Sequence, residues 1–236
     1  MDKQKIVSYY EKEGQLLKSA DVDRYYRGAF KYASTHGCRR VILEKWFRFA
    51  KAKETFLDVG CELGYFVRKL TEQGLDATGV DISPTKIRKA KLIAQKLGFK
   101  CHFFEMDAEN LEFENNSFDW VLCSETLEHV LNDRKAVLEL IRVAKRYVII
   151  TVPLKSIFWR FLNNFSDIYG FDSLGAGHFR EYTTLSLKKL LPENARIKAI
   201  KKGGYFVSFL DRFLPDLSIF KAILCVLIKK ERRATI

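Results

Sequence analysis

Two groups of residues in this chain have types and spacings suited to chemistry. The first is Asp58-Val59-Gly60-Cys61-Glu62-Leu63-Gly64, with Thr78-Gly79-Val80-Asp81 about twenty residues on. An apolar strand that ends in an acid and a glycine turn, followed by a second acid at the end of the next strand, reads as a nucleotide-type cofactor site. The second group is Glu125, Glu128 and His129, with His178 further on in Gly177-His178-Phe179-Arg180-Glu181-Tyr182. Glu125, Glu128 and His129 stand at i, i+3 and i+4, so a helical turn starting after Ser124 would place all three on one face. Carboxylates and imidazoles together suit proton transfer or a divalent cation.

These residues need a scaffold, and the hydrophobic periodicity supplies one. It predicts strands at about 55–59, 76–80, 100–105, 118–123 and 146–152, separated by helices near 64–73, 84–97 and 132–145. Such β/α alternation implies a largely parallel sheet with helices on both faces and the site at the carboxyl ends of its strands. Two helices near 2–19 and 23–50 precede it, the second with Tyr26, Phe30, Val41, Leu43, Trp46 and Phe47 as apolar positions. After Pro153 the pattern changes to an aromatic-rich piece running to Phe171, a glycine-containing loop and a helix near 184–191. Strands at about 196–202 and 221–229 follow, and their separation allows an antiparallel pair.

The chain has 236 residues, 47% of them hydrophobic and 14% aromatic, enough for a well-buried core and against disorder. With four prolines and no repeat or low-complexity tract, the expected organisation is a single domain over 1–236. It would carry an N-terminal helical extension or lid over 1–50 and an inserted substrate-side segment over 153–182. No apolar run approaches the length of a membrane span, and the chain opens on mixed charge, so the expected location is cytoplasmic. Cys38, Cys61, Cys101, Cys123 and Cys225 are scattered and odd in number, which suits reduced thiols rather than a disulfide frame.

The net charge of +12 is unevenly spread. From Ser186 onward there are twelve basic and four acidic residues, whereas Cys101–Glu128 holds eight acidic residues and no Lys or Arg. The acidic stretch coincides with the motif region. A basic rim suits an acidic metabolite, nucleic acid or anionic lipid, or simply a solvated surface.

From about Val41 onward the motifs, taken in order, resemble those of the class I S-adenosylmethionine-dependent methyltransferases. Leu57-Asp58-Val59-Gly60-Cys61 resembles the first motif, Val80-Asp81-Ile82-Ser83 the ribose-binding acid, and Glu105-Met106-Asp107-Ala108-Glu109-Asn110-Leu111 the adenine-edge motif. Phe118-Asp119-Trp120-Val121 through Ser124-Glu125-Thr126-Leu127-Glu128-His129-Val130 resembles the fourth-strand motif. The resemblance implies a Rossmann-like, seven-stranded, mostly parallel α/β sheet with an antiparallel last strand, and S-adenosyl-L-methionine as cofactor. It places cofactor contacts at Asp58, Gly60, Cys61, Gly64, Asp81, Ile82, Asp107, Ala108 and Ser124. In this arrangement Gly60 and Gly64 let the backbone pass close to the cofactor's methionine part. Asp81 accepts the ribose hydroxyls, Asp107 the adenine amino group, and Asp58 reaches the cofactor's amino group.

Catalytic candidates are Glu125, His129 and His178, with no metal assigned. The expected acceptor is a small hydrophobic or lipid-linked molecule methylated on oxygen or carbon, approached through the N-terminal helices and Leu154–Tyr182. A second reading follows from the weaker resemblance of Glu125, Glu128, His129 and His178 to the metal site of small-RNA 2′-O-methyltransferases, with RNA as the partner. A third, a non-catalytic cofactor-binding subunit, follows from Glu62, which stands where the family has a third glycine. Glu62 also disfavours a dinucleotide G-x-G-x-x-G turn, which would need glycine there and at Tyr65. His102 is expected on the core or sheet face of the third strand, and His36 in a structural setting. Tyr25 and Tyr26 with Arg24 and Arg27 either fold over the cofactor or pack on the sheet.

Overall fold

The computed structural model describes residues 3–16, 35–155, 180–203 and 223–231. Its helices are α1 (Lys3–Leu16), α2 (Thr35–Phe47), α3 (Tyr65–Glu72), α4 (Pro84–Lys96), α5 (Asp133–Val143) and α6 (Thr184–Lys189). Its strands are β1 (Thr55–Val59), β2 (Asp76–Asp81), β3 (His102–Glu105), β4 (Phe118–Ser124), β5 (Ala144–Pro153), β6 (Ala195–Gly203) and β7 (Ile223–Lys230). The expectations at Arg24, Tyr25, Tyr26 and Arg27, in the aromatic piece with His178, and in the second apolar cluster near 205–214 lie outside the described residues.

The seven strands lie in the order β3-β2-β1-β4-β5-β7-β6. Neighbours from β3 to β5 pair parallel, while β7 runs antiparallel to both β5 and β6. Only β7 is reversed, as the short connection between the last two strands predicts. The chain direction changes at β1, with β2 on one side and β4 on the other. In an open α/β sheet that crevice, at the carboxyl ends of the strands, is where ligands bind.

Strand alternation sorts the core onto two faces. Leu57, Val121, Cys123, Val148, Ile150 and Val226 pack under Val137, Leu140 and Ile141 of α5 and Leu187 of α6. Phe56, Trp120, Leu122, Ile149 and Leu227 point the other way, against Leu43, Trp46 and Phe47 of α2, Leu70 of α3 and Ile87 and Ala90 of α4. The helices start where local chemistry allows. Ser83 caps α4 by accepting from Lys86 N, with Pro84 in its first turn, and Asn132 caps α5 by accepting from Lys135 N. Thr183 and Ser186 form a reciprocal capping box on α6.

His102 is an exposed residue on edge strand β3, its ring stacked 6.5 Å from Phe104, so it belongs to the sheet face and not the core. Among the described residues no disulfide joins Cys61, Cys101, Cys123 or Cys225.

The glycines of the turn after β1 have packing reasons that sequence reasoning did not foresee. Gly60, at φ 77°, would direct a Cβ to 2.1 Å from Thr126 Oγ1, and Gly64, at φ 73°, to 2.5 Å from the Phe103 ring. Both are therefore fixed by the fold before any ligand arrives. Gly64→Ala combines a left-handed backbone with a ring clash, and is expected to lower unfolding stability by roughly 2–4 kcal/mol in urea titration. A midpoint unchanged from wild type would show that Phe103 moves aside freely.

Candidate active site

Asp58 sits near the end of β1, 3% exposed, paired across the ladder with Gly79 and Leu122. The turn after β1 is held by Gly60 N and Cys61 N, which both donate to Val80 O, at 2.8 and 2.9 Å. Gly64 then opens α3 without a side-chain cap. Asp81 ends β2, buried, and its carboxylate organises the two loops beside it: Oδ2 accepts from Glu62 N at 3.0 Å and Oδ1 from Ser83 N at 2.9 Å. Ile82 is half-buried next to it. After β3, Asp107 Oδ1 accepts from Glu109 N at 2.9 Å, and Ala108 is buried in the core. At the end of β4, Ser124 Oγ lies 2.9 Å from Thr151 Oγ1, which in turn donates to Glu125 Oε1 at 3.0 Å.

The expected common face for Glu125, Glu128 and His129 does not form. Glu125 is left-handed, at φ 52°, and the chain becomes helical only for the single 3-10 turn Leu127–His129. Glu128 is consequently turned fully inward, while Glu125 and His129 are partly exposed. His129 Nε2 stands 3.8 Å from Glu128 Oε1. Among the described residues no group of three or more His, Cys, Asp and Glu side chains is arranged to hold a metal ion. His178 lies outside those residues.

Sequence reasoning missed the cation of the site. Arg39 of α2 is 4% exposed, with Nη1 3.8 Å from Glu125 Oε1. Its charge also acts on the carboxyl groups of Asp58, Glu62 and Glu128. The Arg39-Arg40 pair inside an otherwise apolar helix stretch was the available signal; periodicity treats arginine as solvent-facing and so passes over it.

Burial dominates the electrostatics of these acids. Asp58 is pushed up to about 8, first by desolvation and then by Asp81, with Arg39 pulling the other way. Asp81 and Glu62 are also raised, in each case by burial first, with Lys86 as the strongest opposing influence. Burial and the neighbouring Glu125 raise Glu128 well above the carboxylate range. Neither Glu128 oxygen has a hydrogen-bond partner among the described residues. A buried, acid-rich lining with one guanidinium fits a ligand that brings positive charge and a single carboxylate.

Helix α1 lies against this same edge. Lys3 pairs with Asp107, and the Tyr10 ring meets His129 edge-on at 5.6 Å. Glu11 accepts from Ser83 Oγ at 2.6 Å, Thr85 N at 3.0 Å and Thr85 Oγ1 at 2.7 Å. Ahead of α6, Arg180 donates to Val130 O and Leu131 O, and the Tyr182 hydroxyl donates to Leu127 O at 3.2 Å.

Residues 57–151 match a family model described as a methyltransferase domain. A ubiquinone biosynthesis O-methyltransferase of Rickettsia prowazekii is 34% identical over 94 residues, 40% of this chain and 37% of that protein. A chloroplastic tocopherol O-methyltransferase of Arabidopsis thaliana is 34% identical over 124 residues, 47% of this chain and 36% of that protein. The match thus spans little more than a third of the length of these relatives. Among solved structures, magnesium protoporphyrin IX methyltransferase from Synechocystis PCC 6803, with bound SAH, superposes with a TM-score of 0.71 at 16% identity. That superposition covers 98% of this chain and 100% of the other. Residues 57–151 therefore resemble a methyltransferase domain, set in a fold that the superposed methyltransferase shares.

The raised Asp58 carboxyl generates a pH test. Its native-state value of about 8 exceeds the unfolded one of ~3.9, so the native state binds the proton more tightly. Asp58 thus favours folding fully at low pH, and that contribution is lost as pH rises through about 8. Asp58→Asn is expected to flatten this fall in urea-unfolding free energy over the same window. An unaltered slope in the variant would remove Asp58 as its source.

Proposed function

We propose that this chain transfers a methyl group from S-adenosyl-L-methionine to the hydroxyl oxygen of a small, hydrophobic acceptor of the ring-bearing or lipid-linked kind. The observation that carries the reading is the set of acids Asp58, Asp81, Glu125 and Glu128, all but Glu125 buried, gathered with Arg39 at the carboxyl ends of β1, β2 and β4. Two relatives named for oxygen methylation on ubiquinone precursors and tocopherol support the acceptor class.

The residues fit this cofactor. Bound there, it would supply a methyl group on a positively charged sulfur, open to in-line displacement by an aligned nucleophile. Arg39 suits its carboxylate, Asp58 its ammonium group and Asp81 its ribose hydroxyls. Asp107 and Ala108 would border the adenine, with Lys3 released from Asp107. The turn residues Gly60, Cys61 and Gly64, with Ile82 and Ser124, would line the groove between them.

A hydroxyl acceptor must lose its proton, and His129 is the group placed to take it. Its partly exposed imidazole lies with Nε2 3.8 Å from Glu128 Oε1 and edge-on to the Tyr10 ring. Glu125, held by Thr151 and Arg39, would set the charge on the acceptor side. Helix α1, lying from Asp107 to His129, would serve as the lid that excludes water.

Incubating the protein with labelled S-adenosylmethionine and an extract of its source cells should place counts in the organic phase. Nuclease-sensitive counts would instead support the RNA ribose reading. On the acceptor so identified, His129→Ala is expected to lower kcat by about a hundredfold. Its cofactor affinity should stay within about twofold, the scale of a side chain outside the cofactor contacts. An unchanged kcat would remove His129 from proton transfer.

A further inference from the structure

Helix α4 presents an outward face without an acid on it. Its exposed residues Arg88, Lys91, Leu92, Gln95 and Lys96 stand at i, i+3, i+4, i+7 and i+8, which sets them in one stripe on the side away from the sheet. Ile87, Ala90 and Ala94 are buried on the opposite side. Leu97 and Lys100 continue the exposed stretch. From Ser83 to Phe104 the chain holds six Lys and Arg residues and no Asp or Glu. Two leucines in this cationic field are open to solvent, Leu92 at 64% and Leu97 at 53%.

Helix α1 sorts its charges in the same sense. Both of its acids turn onto α4: Glu11 accepts from Ser83 Oγ, Thr85 N and Thr85 Oγ1, and Glu13 holds Lys86 Nζ at 2.6 Å. Lys5, Tyr9, Lys12 and Leu16 are exposed, at i, i+4, i+7 and i+11, and so share the outward side. The two helices are fastened where α1 ends. Lys89 of α4 donates to Gly14 O at 2.7 Å and Gln15 O at 3.0 Å, which brings Leu16, 81% exposed, beside α4. A Cβ on Gly14 would stand 3.1 Å from both Ser83 Oγ and Lys86 Cγ, so the backbone of α1 lies directly on the first turn of α4. That junction borders the carboxyl end of β2, where Ser83 N donates to Asp81 Oδ1.

We infer that the outward faces of α4 and α1 form a docking surface for a bilayer containing anionic phospholipid. The lysines and Arg88 meet the headgroups, while Leu92, Leu97 and Leu16 enter the boundary between headgroups and acyl chains. Nucleic acid would satisfy the cations equally well but would leave these leucines in water, and the α4 stripe offers no aromatic ring on which a base could stack. The surface itself rests on α1 and α4 alone. Its use rests on the acceptor reading above: docking along the helices that border Asp81 sets the cofactor site beside the bilayer, where a lipid-linked acceptor resides.

Co-sedimentation of the protein with vesicles, without cofactor or acceptor, tests the surface. The wild type should pellet with phosphatidylcholine vesicles that contain phosphatidylglycerol and stay in solution with phosphatidylcholine alone. Lys91→Glu combined with Lys96→Glu is expected to lower partitioning about tenfold or more, and Leu92→Ser about threefold. All three positions face solvent, so the urea-unfolding midpoints of both variants should match that of the wild type.

A wild-type protein that ignores the anionic vesicles, or binds neutral ones equally, would overturn the docking surface, as would binding that survives the double charge reversal. Binding left unchanged by Leu92→Ser would overturn the lipid assignment in favour of a general polyanion surface. Vesicle binding as expected, with no methyl transfer into the organic phase, would leave the docking surface standing and overturn the acceptor reading instead.

Discussion

Everything at the carboxyl edge of this sheet is organised by the burial of carboxyl groups around very few cations. Asp58, Glu62, Asp81, Glu125 and Glu128 converge where β1, β2 and β4 end, and among the described residues Arg39 and Lys86 bring positive charge to them. Isolated buried carboxylates are costly, so each must hold its proton, find a donor or await a ligand. Asp81 has found two backbone donors, Glu125 has Thr151 and Arg39, and Asp58 and Glu128 are driven toward the protonated form. That imbalance matches a cofactor whose reactive sulfur is a cation.

The scaffold tolerates this because it is well packed below the site. Both sheet faces are covered, by α5 and α6 on one side and α2, α3 and α4 on the other, so the strand ends are held apart from the acids they present. Local strain is concentrated at the same edge. Gly60, Gly64, Glu62 and Glu125 all take positive φ in the loops that follow β1 and β4. Thr126, which fills the space a side chain on Gly60 would need, ties those two loops together and donates to Val59 O at 3.3 Å.

The strands and helices were legible because apolar alternation and glycine turns recur in phase along the chain. Each described strand begins and ends within about two residues of its expected place, the usual uncertainty at element ends. The reversal of β7 followed from the short stretch before it. What failed was reasoning that treated spacing as geometry. Glu125, Glu128 and His129 have helical spacing, but the left-handed residue at Glu125 and the short 3-10 turn send their side chains in different directions. Arg39 and Lys86 were passed over because a cation's burial depends on partners distant in sequence. Glu62 was recognised as a departure, but its left-handed backbone and the hydrogen bond from its N–H to Asp81 exist only in three dimensions.

The central claim is that one guanidinium and a set of buried acids recognise a cofactor carrying both a cationic sulfur and an amino-acid end. Calorimetric titration of the wild-type protein with S-adenosylmethionine and with its decarboxylated analogue tests it most directly. The full cofactor is expected to bind, with a loss of about tenfold or more for the analogue, which leaves Arg39 without a carboxylate to pair. Equal affinity for the two would contradict the assignment of Arg39 and the account built on it.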